Sequence, residues 1–387
     1  MGFNALFGRE DVLDILQKTL YDYYENCYPA QQVYIGYKKR EGAAEFFLIP
    51  RVGMIIQARP ACEIRKQFYS SYNIRGNLFK NIAAKLLVFA SLHFPNLWAI
   101  KQRLYVWPAD LVNLKTIFSY GNRSVRIYDY ANNETVCIQK KGFTDKFFQN
   151  QLQFRMNNRY LFIPSIKQSG ENWFKEEIHK GSILERITDE NQYKDAQTEA
   201  LSYMEQLQKD TLLEVSAKTY VENLCERLKT MLEATVQRKN TSYHGYAVEY
   251  LAQLKNYLNV LPETMPSVIS HKDLQGGNIL VTHEKLWIID WETQSRGSRW
   301  FDAITMLYKT RYHGGIRRLT QDVQVNALSQ RIGETGTWSA KQIFAIFLLE
   351  DLEFYLEDML ELPGAAGSAT FDRYMAEIKE IDWSSVF

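Results

Sequence analysis

Hydrophobic and polar positions alternate along this chain with two different periods. Residues 124–130 and 135–140 carry apolar side chains at every second position, and Asn132 and Asn133 lie between them. This pattern predicts two strands joined by a turn. Two further strands are predicted at 161–166 and 172–178, on either side of Gly170.

The residues before this strand-rich part predict a mixed segment. Residues 10–24 have helical spacing, whereas 32–37 and 45–49 are predicted as two strands of a hairpin around the polar segment 38–44. The apolar run 86–94 is too short to span a membrane and predicts a buried helix.

Helical spacing dominates the chain after Gly181. Residues 146–156 already show it within the strand-rich part, and 196–208, 217–236 and 246–260 repeat apolar residues at steps of three and four. A short β-rich part followed by a larger helical part predicts an α+β fold with two lobes.

Composition excludes few functions. Hydrophobic residues make up 46% and charged residues 24% of the chain, and the net charge of +1 gives no reason to expect nucleic-acid binding. Residues 1–120 hold 15 Lys and Arg against 9 Asp and Glu. This imbalance has two interpretations: ordinary surface variation, which the small size of the excess favours, and attraction to phosphates or anionic lipid.

The four cysteines, Cys27, Cys62, Cys137 and Cys225, lie far apart in sequence. They show no spacing of a zinc site or a redox pair. No signal peptide is recognisable in residues 1–10, so a cytoplasmic location is expected.

Residues 267–302 carry the chemistry. Asp273 is followed five positions later by Asn278, and two apolar runs then lead to Asp290. The polar turn 282–285 between these runs predicts a tight hairpin.

These residue types suit phosphoryl transfer to a hydroxyl group. Asp273 can accept or orient the hydroxyl proton, while Asn278 and Asp290 supply a neutral and an anionic oxygen ligand for Mg²⁺. Mg²⁺ commonly binds few carboxylates together with substrate phosphates, and this set is of that kind.

The segment resembles the aminoglycoside phosphotransferase and choline kinase family, which has a protein kinase-like fold. The family pattern begins with His271, Asp273 and Asn278. It continues through the hairpin to Asp290-Trp291-Glu292 and ends at Asp302. The resemblance implies that Asp273 is the catalytic base and that Asn278 and Asp290 bind Mg²⁺. It also implies that His271 and Asp302 brace the catalytic loop.

The resemblance also implies an ATP site in the β-rich lobe. Gly121 would belong to the loop over the phosphates, and Lys140, with Lys141 as its rival by register, would bind them. Ile138 and Lys140 share one face of their strand and would point toward the nucleotide. Glu177 and Ile178 would offer backbone groups to adenine.

Two features depart from the family or leave alternatives open. Residues 146–156 contain no Glu to pair with the strand lysine, and Gln149, Gln151 and Gln153 are polar residues that could offer a substitute hydrogen bond. Residues 348–362 are rich in Asp and Glu, which indicates a solvated helix face or a wall for a cationic substrate.

The expected domains are an N-terminal extension or accessory domain at 1–112, a small nucleotide lobe at 113–181 and a helical large lobe at 182–387. The expected function is an ATP- and Mg²⁺-dependent kinase for the hydroxyl of a small molecule such as a sugar, an amino alcohol or an aminoglycoside. The alternative is a pseudokinase or nucleotide-binding scaffold. No transmembrane segment is expected, and residues 1–112 offer a possible surface for a protein partner.

Overall fold

The backbone of the chain, seen in a computed structural model, divides into two units that alternate along the sequence. The first unit comprises residues 1–198 and 279–292, and the second comprises 199–278 and 293–387. The structure describes residues 6–8, 10–50, 53–57, 60–71, 73–75, 78–238, 241–361 and 366–386. Most strands belong to the first unit and most long helices to the second, so the predicted α+β fold with a β-rich and a helical part is confirmed.

A nine-stranded antiparallel sheet forms the centre of the first unit. Its strand order is β1-β4-β2-β3-β5-β6-β7-β9-β8, so the N-terminal strands continue the same sheet as the later ones. The domain boundaries given by the sequence remain predictions. The strands are β1 Tyr34–Gly36, β2 Ala44–Ile49, β3 Met54–Gln57, β4 Arg103–Trp107, β5 Thr116–Tyr120, β6 Ser124–Asp129, β7 Glu134–Gln139, β8 Ile166–Ser169 and β9 Trp173–Glu177.

Helices cover both faces of this sheet. On one face, α1 (Val12–Cys27) packs its buried side chains against Val136 and Ile138 of β7. On the other face, α5 (Lys146–Met156) packs against Cys137 and Phe174. Successive strand residues point to opposite faces, so β7 separates an α1 side from an α5 side. The remaining helices of this part are α2 Cys62–Ser71, α3 Leu78–His93 and α4 Pro95–Trp98.

A second sheet of the first unit contains β10 (Gly181–Ile183), β13 (Ile279–Thr282) and β14 (Leu286–Ile288) in that order. The predicted hairpin around 282–285 is therefore confirmed as β13 and β14. Gly181 lies so close to β13 that a Cβ atom at this position would collide with the Val281 carbonyl oxygen. Only glycine fits this strand pairing without a backbone shift.

The second unit is mainly helical. A three-stranded sheet in the order β11-β12-β15 accompanies the helices, and α12 lies in the core with the run Phe344–Leu349 fully buried. The elements are α6 Glu190–Thr211, which enters this unit at Glu199, β11 Leu213–Ser216, α7 Ala217–Arg238, α8 His244–Tyr257, β12 Thr264–Ser270, β15 Ser295–Ser298, α9 Phe301–Tyr308, α10 Gly315–Gln324, α11 Leu328–Ile332, α12 Ala340–Glu361 and α13 Ala366–Lys379.

Local patterns predicted α5, β6, β7 and β9 well, but three expectations are wrong. The apolar run 86–94 is not a buried helix along its whole length, because Leu86 is 63% and Phe89 46% exposed. Residues 32–37 and 45–49 do not form a hairpin, because β4 lies between β1 and β2. Residues 161–165 are irregular and β8 begins only at Ile166, after Pro164, which has no N–H to donate to a sheet. In the described part of the chain, every helix is too short or too polar to cross a membrane.

Candidate active site

One buried carboxylate fixes the segment that follows β12 in the second unit. Asp302, in the first turn of α9, accepts hydrogen bonds from the backbone N–H groups of His271 at 2.8 Å and Lys272 at 3.0 Å. Burial raises the pKa of the Asp302 carboxyl, although the interactions with His271 act in the opposite direction. The two bonds also hold Lys272 in the left-handed region, at a φ of 66°.

Asp273, the predicted catalytic base, is held at both of its carboxylate oxygens. The Asn278 amide donates to Oδ2 at 2.9 Å and to the Asp273 carbonyl oxygen at 2.8 Å, and Gln275 Nε2 donates to Oδ2 at 2.9 Å. The donors are side-chain NH₂ groups, so the amide oxygen of Asn278 is the end that suits a cation. The structure thus brings Asp273 and Asn278 together, as the motif predicts.

Arg311 provides the third contact to Asp273, and the sequence did not indicate it. Its Nε lies 3.2 Å from Asp273 Oδ1, and its Nη2 donates to the Lys272 carbonyl oxygen at 2.8 Å. Its Nη1 binds the carboxylate of Asp351 on α12. Both Arg311 and Asp351 are buried, so this pair anchors the loop that carries Asp273 to the core of the second unit.

Lys272 adds a second anchor of the same loop. Its Nζ lies 3.2 Å from Oε1 of the buried Glu350, which also accepts hydrogen bonds from the backbone and hydroxyl of Ser298, both at 2.6 Å. A Cβ atom on Gly297 would collide with the Lys272 ammonium group. Glycine at this position therefore leaves the space that the buried ion pair occupies.

Two residues of the acidic helix predicted at 348–362 have a different role from the two considered. Glu350 and Asp351 are fully buried and bind Lys272 and Arg311, so they form neither a solvated face nor an open wall for a substrate. Glu353, closer to the surface, pairs with Arg227 at 2.7 Å. Leu362, at the end of the predicted segment, lies outside the described residues.

Asp290, the predicted anionic metal ligand, belongs to the first unit. It follows β14 in a left-handed conformation, at a φ of 69°, and its side chain is 33% exposed. Arg126 of β6 reaches it, with Nη2 3.1 Å from Asp290 Oδ1. The Nε of Arg126 is buried and has no hydrogen-bond partner among the described residues. A guanidinium with an unused donor therefore lies beside this carboxylate.

The residues after Asp290 are tied to α5 and the β5–β6 turn. Glu292 pairs with Arg123 at 2.7 Å, and its backbone oxygen accepts a hydrogen bond from Asn150 of α5 at 3.2 Å. Burial and the nearby Asp290 raise the pKa of Glu292 to about 7, against the lowering effect of Arg123. Helix α5, which lacks the family's Glu, thus contacts the residues after Asp290 through the side-chain amide of Asn150.

Lys140, the predicted phosphate-binding lysine, lies on the α1 side of the sheet. Its fully buried Nζ is 2.7 Å from Glu10 Oε1, and it donates to the Asn122 carbonyl oxygen at 2.8 Å. Lys141 turns to α1 as well, and its Nζ is 2.8 Å from Asp22. These contacts do not favour phosphate binding by either lysine.

The face of the large sheet that reaches Asp290 is the α5 side, opposite the α1 side on which Lys140 lies. Arg126 is the register partner of Cys137, which packs on the α5 side, whereas Val136 and Ile138 pack on the α1 side. Lys140 does share its face with Ile138, as expected, but Glu10 occupies that face. The cation on the Asp290 side is therefore Arg126.

The other predicted nucleotide residues lie at turns and strand ends of the first unit. Gly121 closes the turn between β5 and β6, where its N–H donates to the Ser124 carbonyl oxygen at 2.8 Å. Glu177 ends β9, and the Ile178 N–H donates to the Asn133 carbonyl oxygen at 3.2 Å. A cavity of about 460 Å³ lies beside these two residues and is also lined by Trp287 of β14.

Sequence reasoning missed Arg126 and Arg311 for different reasons. Arg126 occupies a regular polar position in the alternation of β6, between Val125 and Ile127, so the pattern showed only that it lies on the other face of the strand. Arg311 had no signal, because its partners lie 38 and 40 positions away along the chain.

Comparison with known proteins agrees with the class that this loop indicates. Residues 199–336 match the family model of the phosphotransferase enzyme family, and this span includes Asp273, Asn278, Asp290 and Asp302. The resemblance predicted from the motif is thereby confirmed for this part of the chain.

Several solved structures are similar at low identity. An aminoglycoside phosphotransferase in complex with ADP and hygromycin B shares 11% identity, covering 68% of this chain and 93% of that one, with a TM-score of 0.46. A choline/ethanolamine kinase family protein from Mesorhizobium loti shares 15%, covering 69% and 88%, with a TM-score of 0.45. An ethanolamine kinase from Plasmodium vivax shares 14%, covering 86% and 97%, with a TM-score of 0.43. No curated protein matches the chain.

The anchoring role of Arg311 predicts a large loss of stability on its removal. Arg311→Met leaves Asp351 buried without its partner, and we expect urea unfolding to show a loss of about 3–5 kcal/mol. The matched control is Arg317→Met in the same unit, whose pair with Glu380 is exposed and contributes about 0–1 kcal/mol. Equal effects of the two substitutions would contradict the anchoring role.

Proposed function

We propose that the chain is an ATP- and Mg²⁺-dependent phosphotransferase that moves the γ-phosphate of ATP to a hydroxyl group of a small molecule. The acceptor class is a sugar, an amino alcohol or an aminoglycoside. The wide spacing of the four cysteines, which gives no disulfide or zinc pattern, favours a reducing, cytoplasmic site of action.

The geometry around Asp273 carries the proposal. Donors from Asn278, Gln275 and Arg311 hold its carboxylate, while its side chain stays 20% exposed. A fixed and accessible carboxylate can receive the hydrogen bond of an acceptor hydroxyl and keep its oxygen oriented for attack. Phosphoryl transfer passes through a loose transition state, so Asp273 mainly orients the hydroxyl and takes its proton late.

The residues of the chain fit a magnesium nucleotide. Asp290 has a partly exposed carboxylate, and we assign it as the anionic ligand and the amide oxygen of Asn278 as the neutral one. No group of three or more His, Cys, Asp and Glu in the described chain could hold a metal ion, and Mg²⁺ commonly completes its shell with phosphates and water. When bound, Mg²⁺ neutralises negative charge on the phosphate oxygens.

We assign phosphate binding to Arg126 instead of Lys140. The guanidinium of Arg126 lies against Asp290 and its side chain stays 29% exposed, whereas the fully buried ammonium of Lys140 is already bound by Glu10 and the Asn122 carbonyl oxygen. A guanidinium presents two parallel donors and suits bidentate binding of phosphate. Gly121 in the β5–β6 turn and the backbone of Glu177 and Ile178 remain the proposed contacts to phosphate and adenine.

A nucleotide-binding scaffold is the second candidate function. The burial of Lys140 against Glu10 and the absence of Glu from α5 favour it, because both remove the ion pair on which the family's ATP site depends. Residues 1–112, which contribute β1 to β4 to the large sheet, would then provide a surface for a protein partner.

A screen of hydroxyl compounds separates the two candidates. We expect ADP release with one acceptor class, together with a product that mass spectrometry finds heavier by one phosphoryl group. Asp273→Asn should lower kcat by about 10²-fold or more and leave ATP affinity nearly unchanged, because the lost charge faces the acceptor. Asp195→Asn, on the exposed surface of α6, is the control and should not change kcat. ATP binding without any phosphorylated product, or near-native kcat in Asp273→Asn, would contradict the assignment.

Nucleotide affinity distinguishes Arg126 from Lys140. Arg126→Met should weaken ATP binding by about 10- to 100-fold, because a charge-assisted pair of hydrogen bonds to phosphate is lost. Lys140→Met should leave ATP affinity unchanged and should lower the free energy of unfolding, because Glu10 loses its buried partner. Calorimetric titration with ATP and urea unfolding of both variants provide the two measurements. The reverse pattern of affinities would return the phosphate role to Lys140.

A further inference from the structure

Helix α3 has two apolar faces, and only one of them packs against the protein. Ala84, Val88 and Leu92 are buried, and the last two join the core beside β2 and β3. A second set of large apolar side chains on the same helix is exposed. It consists of Leu78 at 71%, Phe79 at 84%, Ile82 at 49%, Leu86 at 63% and Phe89 at 46% exposure.

These exposed residues form one stripe. Leu78, Ile82, Leu86 and Phe89 follow each other at steps of four, four and three, which brings them to one side of a helix. Tyr69 of α2, 45% exposed, lines the same shallow cavity of about 380 Å³ as Phe89. We call the α3 stripe with Phe79 and Tyr69 the apolar patch. Large exposed apolar patches usually mark an interaction surface.

The stretch of sequence that contains this patch is basic. The sequence from Ile64 to Ala109 contains no Asp or Glu, and its seven basic residues account for most of the excess in the N-terminal part. Those seven are Arg65, Lys66, Arg75, Lys80, Lys85, Lys101 and Arg103.

Several of these basic side chains lie beside the apolar patch itself. Arg65 and Lys66 line the cavity with Tyr69 and Phe89, and Lys85 Nζ lies 5.5 Å from the centre of the Tyr69 ring. Arg75 is already paired with Glu190, so it does not count toward a partner. The surface thus combines protruding apolar side chains with a local excess of positive charge.

We propose that the apolar patch docks the chain on the surface of a bilayer that contains anionic lipid. Side chains such as Phe79 and Leu86 protrude from a helix and suit insertion among acyl chains at shallow depth. The lysines and arginines reach the headgroup level, where negative lipid attracts them, and their apolar stems stay in the interface. This is interfacial binding, and it does not depend on the proposed kinase activity.

Vesicle co-sedimentation tests the proposal directly. The native chain should bind vesicles of phosphatidylcholine with phosphatidylserine and should bind pure phosphatidylcholine much more weakly. Leu86→Gln should weaken binding by about 10-fold, the loss expected when a leucine no longer leaves water. Its matched control is Leu161→Gln, which alters a leucine of 83% exposure outside the patch and should not change binding.

A lysine pair tests the electrostatic part. Lys85→Gln should weaken binding to the anionic vesicles roughly fivefold, while Lys167→Gln on the exposed surface of β8 should not. Urea unfolding of all four variants should match the native chain, because every altered side chain lies at the surface. Lack of binding to anionic vesicles, or equal effects of patch and control variants, would overturn the proposal. Self-association that Leu86→Gln abolishes, without vesicle binding, would assign the patch to a second copy of the chain.

Discussion

The hydrogen bonds from the backbone of His271 and Lys272 to the buried Asp302 are the constraint on which the proposed chemistry depends. A buried carboxylate is costly unless donors surround it, and here the donors are main-chain groups of the loop that carries Asp273. Because these bonds fix the loop from one side, Arg311 and Lys272 can tie it to Asp351 and Glu350 from the other. Positioning is the main contribution that a protein can make to phosphoryl transfer, so a rigid loop is what the reaction requires.

The first unit holds two cation–carboxylate pairs on opposite faces of its large sheet. The large sheet separates two cations, and each has its own carboxylate: Lys140 with Glu10 on the α1 side and Arg126 with Asp290 on the α5 side. The first pair is fully buried, whereas Asp290 and Arg126 remain partly exposed. A ligand can compete for a charged pair only where the pair is exposed, so we propose Arg126 for phosphate recognition and expect Lys140 to contribute to stability.

Local sequence patterns predicted the elements that depend on local physics. The alternation of β6 and β7, the helix α5 and the β13–β14 hairpin all appear close to their predicted bounds. The motif also brought Asp273 and Asn278 together, because both lie on one short loop.

Three failures share a cause, because each depends on residues far away in sequence. Period-two geometry placed Ile138 and Lys140 on one face, but it could not show which face Glu10 covers. Insertion of β4 between β1 and β2 removed the predicted hairpin. Arg311 became visible only through the folding that brings α12 to the loop.

The central claim is that Asp290 binds a magnesium nucleotide, and the metal dependence of ATP binding tests it most directly. Calorimetric titration of ATP into the native chain, with Mg²⁺ and again with a chelator, should show tighter binding when Mg²⁺ is present. In Asp290→Ala, which should stay folded because its side chain is one-third exposed, Mg²⁺ should no longer tighten binding. The claim would be contradicted if Mg²⁺ did not change the ATP affinity of the native chain. It would also be contradicted if Mg²⁺ still raised the ATP affinity of Asp290→Ala.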